Sequence, residues 1–354
     1  MNRTMRAVRL HETLDGKNEL RLDHDVPVPL LNSGEVLLAV RACGLNQVDL
    51  LTRDGQTPQP PPLPHISGTE VAGDVVDVGP GVIGWKSGDR VVVDPIWTCG
   101  HCPDCQLGKT NMCRNSLVLG VQTPGGYAEY VAVPASQLMP LPSNLSYAQA
   151  AAAAVTGPTA WHMLRRRADI RIGEDVLILA GGSGIGVLGI QIAALAGARV
   201  IATAGNEEKM RQAKELGANY VVNHSSKDWA DDVRKITNGR GVDVVFEHVG
   251  AATWDNSLRA LARGGRLVTC GCHTGPQVAM NLWHLFVKEF TLIGSFAGSR
   301  QDFLDVFRLL EQGSIKQVIQ QTFALDEVAK AQSMLEDRQV FGKLILDPTL
   351  PFKT

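Results

Sequence analysis

A glycine-rich turn between a predicted strand and a predicted helix constrains the fold of this chain more than any other feature. An apolar run over residues 176–180 leads into Gly-Gly-Ser-Gly-Ile-Gly at 181–186, and helical periodicity continues over 184–196. Glycine lets backbone N–H groups approach a pyrophosphate, and the start of a helix adds unpaired N–H groups. We therefore predict a dinucleotide site, although a serine replaces the usual middle glycine and a turn without a ligand is the alternative. The predicted contacts are Gly181, Ser183, Gly184, Ile185 and Gly186.

Strands and helices alternate from about residue 173 to residue 300. Such alternation predicts βαβ units in a parallel sheet covered on both faces, and hence a doubly wound Rossmann domain over residues 153–300. The strands are predicted at 176–180, 199–204, 220–223, 242–247, 266–270 and 290–295, and the helices at 184–196, 207–216, 228–237 and 253–262. Sheets of this kind bind ligands at the carboxyl ends of their strands. Gly250, Gly271 and Ser295 are therefore candidate cofactor contacts, unless they only terminate strands.

The end of the second predicted strand of this domain bears on which nucleotide is bound. An acidic residue about 20 positions beyond the glycine-rich turn usually holds the ribose 2′-hydroxyl of NAD. Here the strand ends in Thr203-Ala204-Gly205 without a carboxylate, and Lys209 follows. A small neutral surface and a lysine favour the 2′-phosphate of NADP(H), with Thr203, Gly205 and Lys209 at the cofactor. Two alternatives stay open: Lys209 is only a solvated lysine, or Glu207 binds a ribose hydroxyl of NAD.

Four cysteines lie close together in the pattern C-x2-C-x2-C-x7-C, and they are Cys99, Cys102, Cys105 and Cys113. Four thiolates suit tetrahedral zinc, and a complete set without an open position is structural rather than catalytic. An iron–sulfur cluster is the alternative. The chain has seven cysteines in total, and this odd number argues against a disulfide framework and for a reducing compartment. We predict one structural zinc ion per chain, in a lobe over residues 99–113.

The first 152 residues have a different pattern from the alternating region. Short runs rich in valine and leucine at residues 35–42, 71–78 and 90–94 are separated by proline and glycine, which indicates a mainly β domain. The last part of the chain, residues 301–354, contains predicted helices that begin at Asp302 and Asp326 and a strand at 343–346. We expect this segment to return to the first domain.

The chain resembles the medium-chain dehydrogenase/reductase superfamily, which includes the zinc-containing alcohol dehydrogenases and the quinone oxidoreductases. The resemblance rests on the four-cysteine lobe, on Gly-Thr-Glu-Val-Ala-Gly at residues 68–73, on Trp-Lys-Ser-Gly-Asp-Arg-Val at 85–91 and on the segment 125–130. It covers nearly the whole length. It implies an α/β protein with a GroES-like, mainly β catalytic domain over residues 1–152 and a Rossmann cofactor domain after it.

The sequence departs from the family pattern at the ligands of the catalytic metal. The alcohol dehydrogenases hold a catalytic zinc with a cysteine, the histidine of Gly-His-Glu and a third residue near the domain junction. The corresponding positions in this chain are Asn46, Thr69 and Val155-Thr156. Amide, hydroxyl and aliphatic side chains are poor zinc ligands. The resemblance therefore implies that the catalytic zinc is lost and the structural zinc kept.

Residues 44–49, Gly-Leu-Asn-Gln-Val-Asp, resemble the Gly-Val-Asn-x-x-Asp stretch of zinc-free quinone oxidoreductases and enoyl reductases. Without a metal to stabilise an alkoxide, hydride transfer suits an acceptor that is already activated. We therefore predict NADPH-dependent reduction of an activated C=C bond or a quinone (an enone, enoyl or quinone reductase). The resemblance implies Asn46, Thr69 and Thr156 as the catalytic residues.

Two other functions stay open. The first is an alcohol dehydrogenase whose zinc is relocated to Cys43, His65 and Glu70, which lie near the right region of the sequence. The second is a protein that binds NADPH without catalysis.

Composition restricts the partners. The chain has 34 basic and 36 acidic residues with a formal charge of −2 and no basic block, which argues against nucleic-acid binding. No apolar run approaches the roughly 20 residues of a membrane span, and the first residues do not form a secretory signal. We expect a cytoplasmic protein that acts on a small molecule. The strand at 290–295 should be the last of its sheet, and pairing at this edge would give a homodimer or homotetramer.

Overall fold

The computed structural model describes residues 3–12 and 18–351, and they form two units. The first comprises the described parts of Met1–Val155 and Gln317–Thr354, and the second comprises Thr156–Lys316. The sequence analysis placed the second boundary at residue 300. It lies at 316 because the helix Arg300–Glu311 packs on the helix Thr156–Trp161, within the second unit.

The strands follow one another in both units. In chain order they are β1 Thr4–Glu12, β2 Asn18–Pro27, β3 Glu35–Gly44, β4 Glu70–Val78, β5 Arg90–Val93, β6 Ile96–Trp97, β7 Leu117–Val118, β8 Tyr130–Pro134, β9 Leu138–Pro140, β10 Asp175–Ile178, β11 Arg199–Ala204, β12 Tyr220–Asn223, β13 Val242–Glu247, β14 Leu261–Thr269, β15 Thr291–Gly294, β16 Ile319–Phe323 and β17 Lys343–Leu346.

Both units contain α-helices, and the two longest in the described residues, of 12 residues each, lie in the second unit. They are α1 Gln47–Arg53, α2 Pro103–Gln106, α3 Tyr147–Ala151, α4 Thr156–Trp161, α5 Gly184–Leu195, α6 Glu207–Glu215, α7 Trp229–Ile236, α8 Ala251–Ala260, α9 Leu282–Val287, α10 Arg300–Glu311 and α11 Val328–Glu336. A π-helical segment, His162–Arg167, continues α4. Among the residues that the structure describes, no helix is both long enough and apolar enough to cross a bilayer.

The second unit is built on a six-stranded parallel sheet in the order β12-β11-β10-β13-β14-β15. Its central strands are apolar because helices cover both faces, and Leu177, Ile201, Val245 and Leu267 are fully buried. The strand order reverses between β10 and β13. Ligands of doubly wound sheets bind at such a reversal, beyond the carboxyl ends of the strands.

The first unit is built on a seven-stranded sheet in the order β16-β17-β3-β4-β5-β9, with β8 also paired to β3. The C-terminal strand β17 runs antiparallel to β3, with Leu346 opposite Cys43. On the other side of β3, Gly44 pairs with Glu70 of β4. This register brings the end of β3, the start of β4 and the start of β17 together, although they are far apart in sequence.

Candidate active site

The glycine-rich turn of the second unit follows β10 and leads into α5. Ala180 takes a left-handed conformation with φ of 42°, and the N–H of Gly181 donates to the carbonyl of Thr203 at 2.7 Å. Ser183 caps α5, since its Oγ accepts a hydrogen bond from the N–H of Gly186 at 3.0 Å. A Cβ on Gly186 would lie 2.4 Å from the carbonyl oxygen of Ala180, so only glycine fits there. The predicted contacts Gly184 and Ile185 form the first turn of α5.

The end of β11 presents the residues expected to choose between NAD and NADP. Thr203 is buried, and its hydroxyl accepts a hydrogen bond from the N–H of Ala180 at 2.9 Å, so it links the end of β11 to the turn that follows β10. A Cβ on Gly205 would lie 3.1 Å from His224 Nε2, which leaves little room for a side chain. Asn206 caps α6 by accepting from the N–H of Lys209 at 2.9 Å. Burial lowers the pKa of the Lys209 ammonium group.

A surface groove adjoins the start of α6. It is lined by Asn206, Glu207, Glu208 and Arg211. Glu208 accepts hydrogen bonds from Arg211, which lower the pKa of its carboxyl group. The groove therefore offers cationic and acidic groups side by side, next to the end of β11.

Three further predicted contacts lie at carboxyl ends of strands. Gly250 has φ of 100°, and a Cβ there would lie 2.9 Å from the Cα of Cys272. A Cβ on Gly271 would lie 2.7 Å from the carbonyl oxygen of His248. Backbone packing thus explains both glycines, and contact with a cofactor stays a prediction. Ser295 differs, because its Oγ is buried without a hydrogen-bond partner in the described part of the chain.

The first unit contains a buried ion pair that the sequence analysis missed. The side chain of Lys343 is 3% exposed, and its Nζ lies 2.8 Å from Oε2 of the fully buried Glu70. The same ammonium donates to Oδ1 of Asn46 at 2.7 Å and to the carbonyl oxygen of Leu45. Three oxygen atoms therefore surround the ammonium group: two accept its hydrogen bonds, and Glu70 Oε2 is its ion-pair partner. The available signal was a lone lysine in an apolar strand, since Lys343 precedes Leu344-Ile345-Leu346.

The structure brings two of the three predicted catalytic residues together. Asn46 caps the start of α1, and its Nδ2 donates to Oγ1 of Thr69 at 3.1 Å. Asn46 is 9% exposed, whereas Thr69 is completely buried. The backbone N–H of Asn46 donates to the Asp49 carboxyl group at 2.8 Å, which fixes the turn before α1. Thr156, the third predicted residue, is buried at the start of α4 in the second unit.

The residues of this cluster do not fit a catalytic zinc ion. Asn46 and Thr69 offer only neutral oxygen or amide groups, and the one carboxylate, Glu70, already faces the Lys343 ammonium. A divalent cation at these atoms would also lie beside a buried positive charge, which costs electrostatic energy.

The relocated zinc site is not assembled either. His65 Nε2 lies 3.1 Å from the carbonyl oxygen of Gly120, and burial lowers the pKa of its imidazole. Cys43 is fully buried, and burial holds the pKa of its thiol well above the usual range. In the described residues, three or more histidine, cysteine or acidic donor atoms come within 4.8 Å of one another only in the four-cysteine lobe.

The four-cysteine lobe has the geometry of a metal site. The four sulfur atoms of Cys99, Cys102, Cys105 and Cys113 lie within 4.8 Å of one another. The sulfur atoms of Cys99 and Cys113 are 3.6 Å apart, close to the roughly 3.8 Å that tetrahedral zinc with bonds of about 2.3 Å requires. Hydrogen bonds to Cys99 from the backbone of His101 and of Cys102 lower the pKa of its thiol to about 6. These residues therefore fit a zinc ion, which would cross-link the lobe without taking part in catalysis.

Comparison with known proteins finds a matching protein family for each of the two units. Residues 32–143 match the alcohol dehydrogenase GroES-like domain, and residues 184–312 match the zinc-binding dehydrogenase family. An NAD-dependent alcohol dehydrogenase of Sulfolobus acidocaldarius is 38% identical, with 98% of this chain and 100% of the relative covered. The quinone oxidoreductase of Rattus norvegicus is 32% identical, with 97% of each chain covered. A crystal structure of an NAD-dependent alcohol dehydrogenase is 40% identical with a TM-score of 0.92, covering 97% of this chain and 99% of that one.

Fold, glycine-rich turn and relatives together define an oxidoreductase of the type that uses a nicotinamide nucleotide. The chain belongs to the medium-chain dehydrogenase/reductase superfamily. The predicted family and the predicted combination of a GroES-like and a Rossmann domain are thereby confirmed.

Proposed function

We propose that this protein is an NADPH-dependent oxidoreductase that transfers hydride to an activated C=C bond or a quinone without a catalytic zinc. The observation that carries the proposal is the cluster of Asn46, Thr69, Glu70 and Lys343. Where zinc-dependent members of the superfamily hold a metal, this chain has two neutral side chains and a buried ion pair. Such a cluster offers hydrogen-bond donors but no Lewis acid.

The chemistry of an enone matches these donors. Bound NADPH would supply hydride to the β-carbon of an enone, and the π electrons of the enone would move to its carbonyl oxygen and give an enolate. An N–H donor stabilises the negative charge on that oxygen, and we assign this role to the side-chain amide of Asn46. A proton from water at the α-carbon completes the reaction, which leaves NADP⁺ and the saturated ketone. A quinone accepts hydride in the same way, because its carbonyl groups activate it.

We infer NADP(H) rather than NAD(H) from the end of β11. The strand ends in Ala204-Gly205 without a carboxylate to hold a 2′-hydroxyl, and Lys209 follows in the first turn of α6. Bound NADPH would supply the hydride, and the turn over residues 181–186 would hold its pyrophosphate. We also propose a cytoplasmic location, where the four thiols of the lobe stay reduced and available to zinc.

A second function, alcohol oxidation by a zinc-dependent dehydrogenase, is favoured by the relatives. The Sulfolobus acidocaldarius protein, whose name describes an NAD-dependent alcohol dehydrogenase, is more similar to this chain than the Rattus norvegicus quinone oxidoreductase. The donor atoms around Asn46 favour the reductase, so we rank alcohol oxidation second.

A substrate panel separates the two functions. Oxidation of NADPH would be followed with quinones and enones, and reduction of NADP⁺ and NAD⁺ with primary and secondary alcohols. We expect turnover with quinones or enones, and a loss of about a hundredfold or more in the variant Asn46→Ala, because one oxyanion donor is removed. Asn256→Ala, a change at a half-buried asparagine of α8 whose amide donates to the carbonyl of Lys227, is the control outside this cluster. Turnover confined to alcohols would refute the proposal.

A further inference from the structure

We propose that Lys343 is a positioning residue that orients and polarises the amide of Asn46. The inference rests on the proposed function, in which the Asn46 amide holds the substrate oxygen. It assigns a role to a residue of the C-terminal strand, which lies 297 positions from Asn46 in sequence.

The ammonium determines which way the Asn46 amide faces. A lysine ammonium group only donates hydrogen bonds, so the amide atom 2.7 Å from it must be the oxygen. The amide nitrogen then faces Thr69, and one of its protons is donated to Oγ1 of Thr69 at 3.1 Å. A flipped amide would place its N–H₂ group against the ammonium. The flip is therefore excluded as long as Lys343 is charged.

The second proton of the Asn46 amide remains for a ligand. In the described residues, Asn46 Nδ2 makes no hydrogen bond besides the one to Thr69. Asn46 is also more exposed than Thr69, Glu70 or Lys343. The positively charged ammonium beside the amide oxygen draws electron density away from the amide nitrogen, and hydrogen bonds in such a chain strengthen one another. The free N–H thus becomes a better donor to an oxygen atom that gains negative charge.

The surrounding backbone holds the ammonium in place. Glu70 is fixed from its other side, because its Oε1 accepts a hydrogen bond from the N–H of Val155 at 2.8 Å. A Cβ on Gly44 would lie 2.2 Å from Glu70 Oε2, so a glycine at the end of β3 makes room for the Glu70 carboxylate. The backbone carbonyl of Leu45 accepts the remaining N–H of Lys343. Two hydrogen-bond acceptors and one ion-pair partner, all fixed by the backbone around them, therefore hold the buried ammonium group in one position.

The test removes both charges, since Lys343→Met alone would leave Glu70 as an uncompensated buried carboxylate. The double variant Lys343→Met/Glu70→Gln keeps similar side-chain volumes and the acceptor for Val155. Three quantities would be measured in full-length protein: the single-turnover rate of hydride transfer from NADPH, the absorption maximum of bound para-dimethylaminocinnamaldehyde, and the Asn46 side-chain amide resonance. The probe is an enal whose absorption moves to longer wavelength when its carbonyl oxygen accepts a stronger hydrogen bond. The resonance is assigned in asparagine-labelled protein by its loss in Asn46→Asp.

We expect the double variant to fold, to bind NADPH with unchanged affinity, and to transfer hydride about 10- to 100-fold more slowly, as is typical when a supporting residue is removed. The red shift of the bound enal should shrink, and the Asn46 amide resonance should move. Lys330→Met, a change at an exposed lysine of α11, should alter none of these.

Unchanged hydride transfer and an unchanged red shift in the double variant would overturn the inference while leaving the proposed function intact. If the wild type reduced no quinone or enone, the proposed function would fail instead. The Asn46 resonance, which needs no substrate, would then decide the inference alone. An unshifted resonance in the double variant would show that Lys343 does not position this amide.

Discussion

Two buried carboxyl groups lie beside Asn46, and their surroundings differ. Glu70 faces the ammonium of Lys343, whereas Asp49 accepts hydrogen bonds from neutral groups, the N–H of Asn46 and the hydroxyl of Tyr127. Its other oxygen, Oδ1, has no partner among the described residues. Burial therefore raises the pKa of Asp49 to about 7. A carboxyl group of this kind is protonated in the folded protein under conditions in which it ionises in the unfolded chain.

The pKa of Asp49 predicts how stability depends on pH. Because the folded protein binds this proton more tightly than the unfolded chain does, stability falls as pH rises from the ordinary value of 3.8 to about 7, and then levels off. The slope should be at most about 1.4 kcal/mol per pH unit. In Asp49→Asn this loss should vanish, so unfolding by denaturant would be compared at each pH for both proteins. Asp337→Asn, at an exposed position, should behave like the wild type; parallel curves for Asp49→Asn and wild type would contradict the prediction.

The proposed contact of Lys209 with NADPH leads to a second prediction at the residue scale, which concerns nucleotide affinity. If its ammonium meets the 2′-phosphate, Lys209→Ala should weaken NADPH binding about tenfold or more and leave NADH binding unchanged, because NADH lacks that phosphate. Lys214→Ala, in the last turn of α6, is the control. Fluorescence titration would give the dissociation constants of NADPH and NADH for the wild type and both variants, and these constants test the preference for NADPH. A wild type that prefers NADH, or a variant that weakens both nucleotides equally, would speak for NAD instead.

At the scale of elements, local patterns predicted most of the second unit. The strands β11, β12 and β13 lie at the predicted residues, because continuous apolar runs bounded by turns are typical of buried parallel strands. The predicted strand at 266–270 instead begins at Leu261, directly after α8. Leu261 pairs with Val242, and a register shift separates this pair from the regular pairing that begins with Val244 and Arg266. A pairing between separate segments of the chain has no local signal in the sequence.

The candidate site also depends on contacts between distant segments, which the sequence does not predict. The sequence pointed to Asn46 and Thr69, which lie together. It did not point to Lys343, because the contact depends on β17 pairing with β3 across nearly the whole chain. Hydrogen-bond chains and packing of this kind arise from tertiary structure, which periodicity and spacing do not encode.

The four-cysteine lobe is an element whose stability should depend on its metal. Its helix α2 has no buried residue, and β6 pairs only with the two-residue strand β7 in the described chain. Cys102→Ser should therefore lose the zinc ion, and proteolysis within residues 99–113 should become about tenfold faster or more, because the lobe opens locally. Cleavage sites would be mapped by mass spectrometry. Cys272→Ser, an exposed cysteine outside the lobe, should change neither quantity; a lobe equally resistant without zinc would contradict this account.

At the scale of the whole molecule, the second unit leaves an apolar surface uncovered. Strand β15 is the last of its sheet, as the sequence analysis expected. Helix α9, which precedes it, exposes Leu282, Trp283 and Phe286, and β15 itself exposes Leu292. Exposed apolar side chains beside an unpaired strand edge are typical of contacts between copies of a chain. We propose that a second copy covers this surface.

This proposal predicts the effect of charge on assembly. The double variant Trp283→Glu/Phe286→Glu should shift the protein from a homodimer or homotetramer to a smaller species, because two carboxylates cannot be buried in an apolar interface without partners. Light scattering after size exclusion would measure the mass. Ile83→Glu changes an even more exposed apolar residue in the first unit and should leave the mass unchanged. A monomeric wild type would refute the proposal.

The zinc content of the active protein tests the central claim most directly, since the proposed reaction needs no metal beside Asn46. Zinc would be measured per chain in wild type that turns over an enone or quinone, after dialysis that removes loosely bound ions. We predict one zinc ion per chain, lost when Cys102 is replaced by serine. Two tightly bound ions per chain, one of which remains in that variant, would contradict the account and favour a zinc-dependent alcohol dehydrogenase.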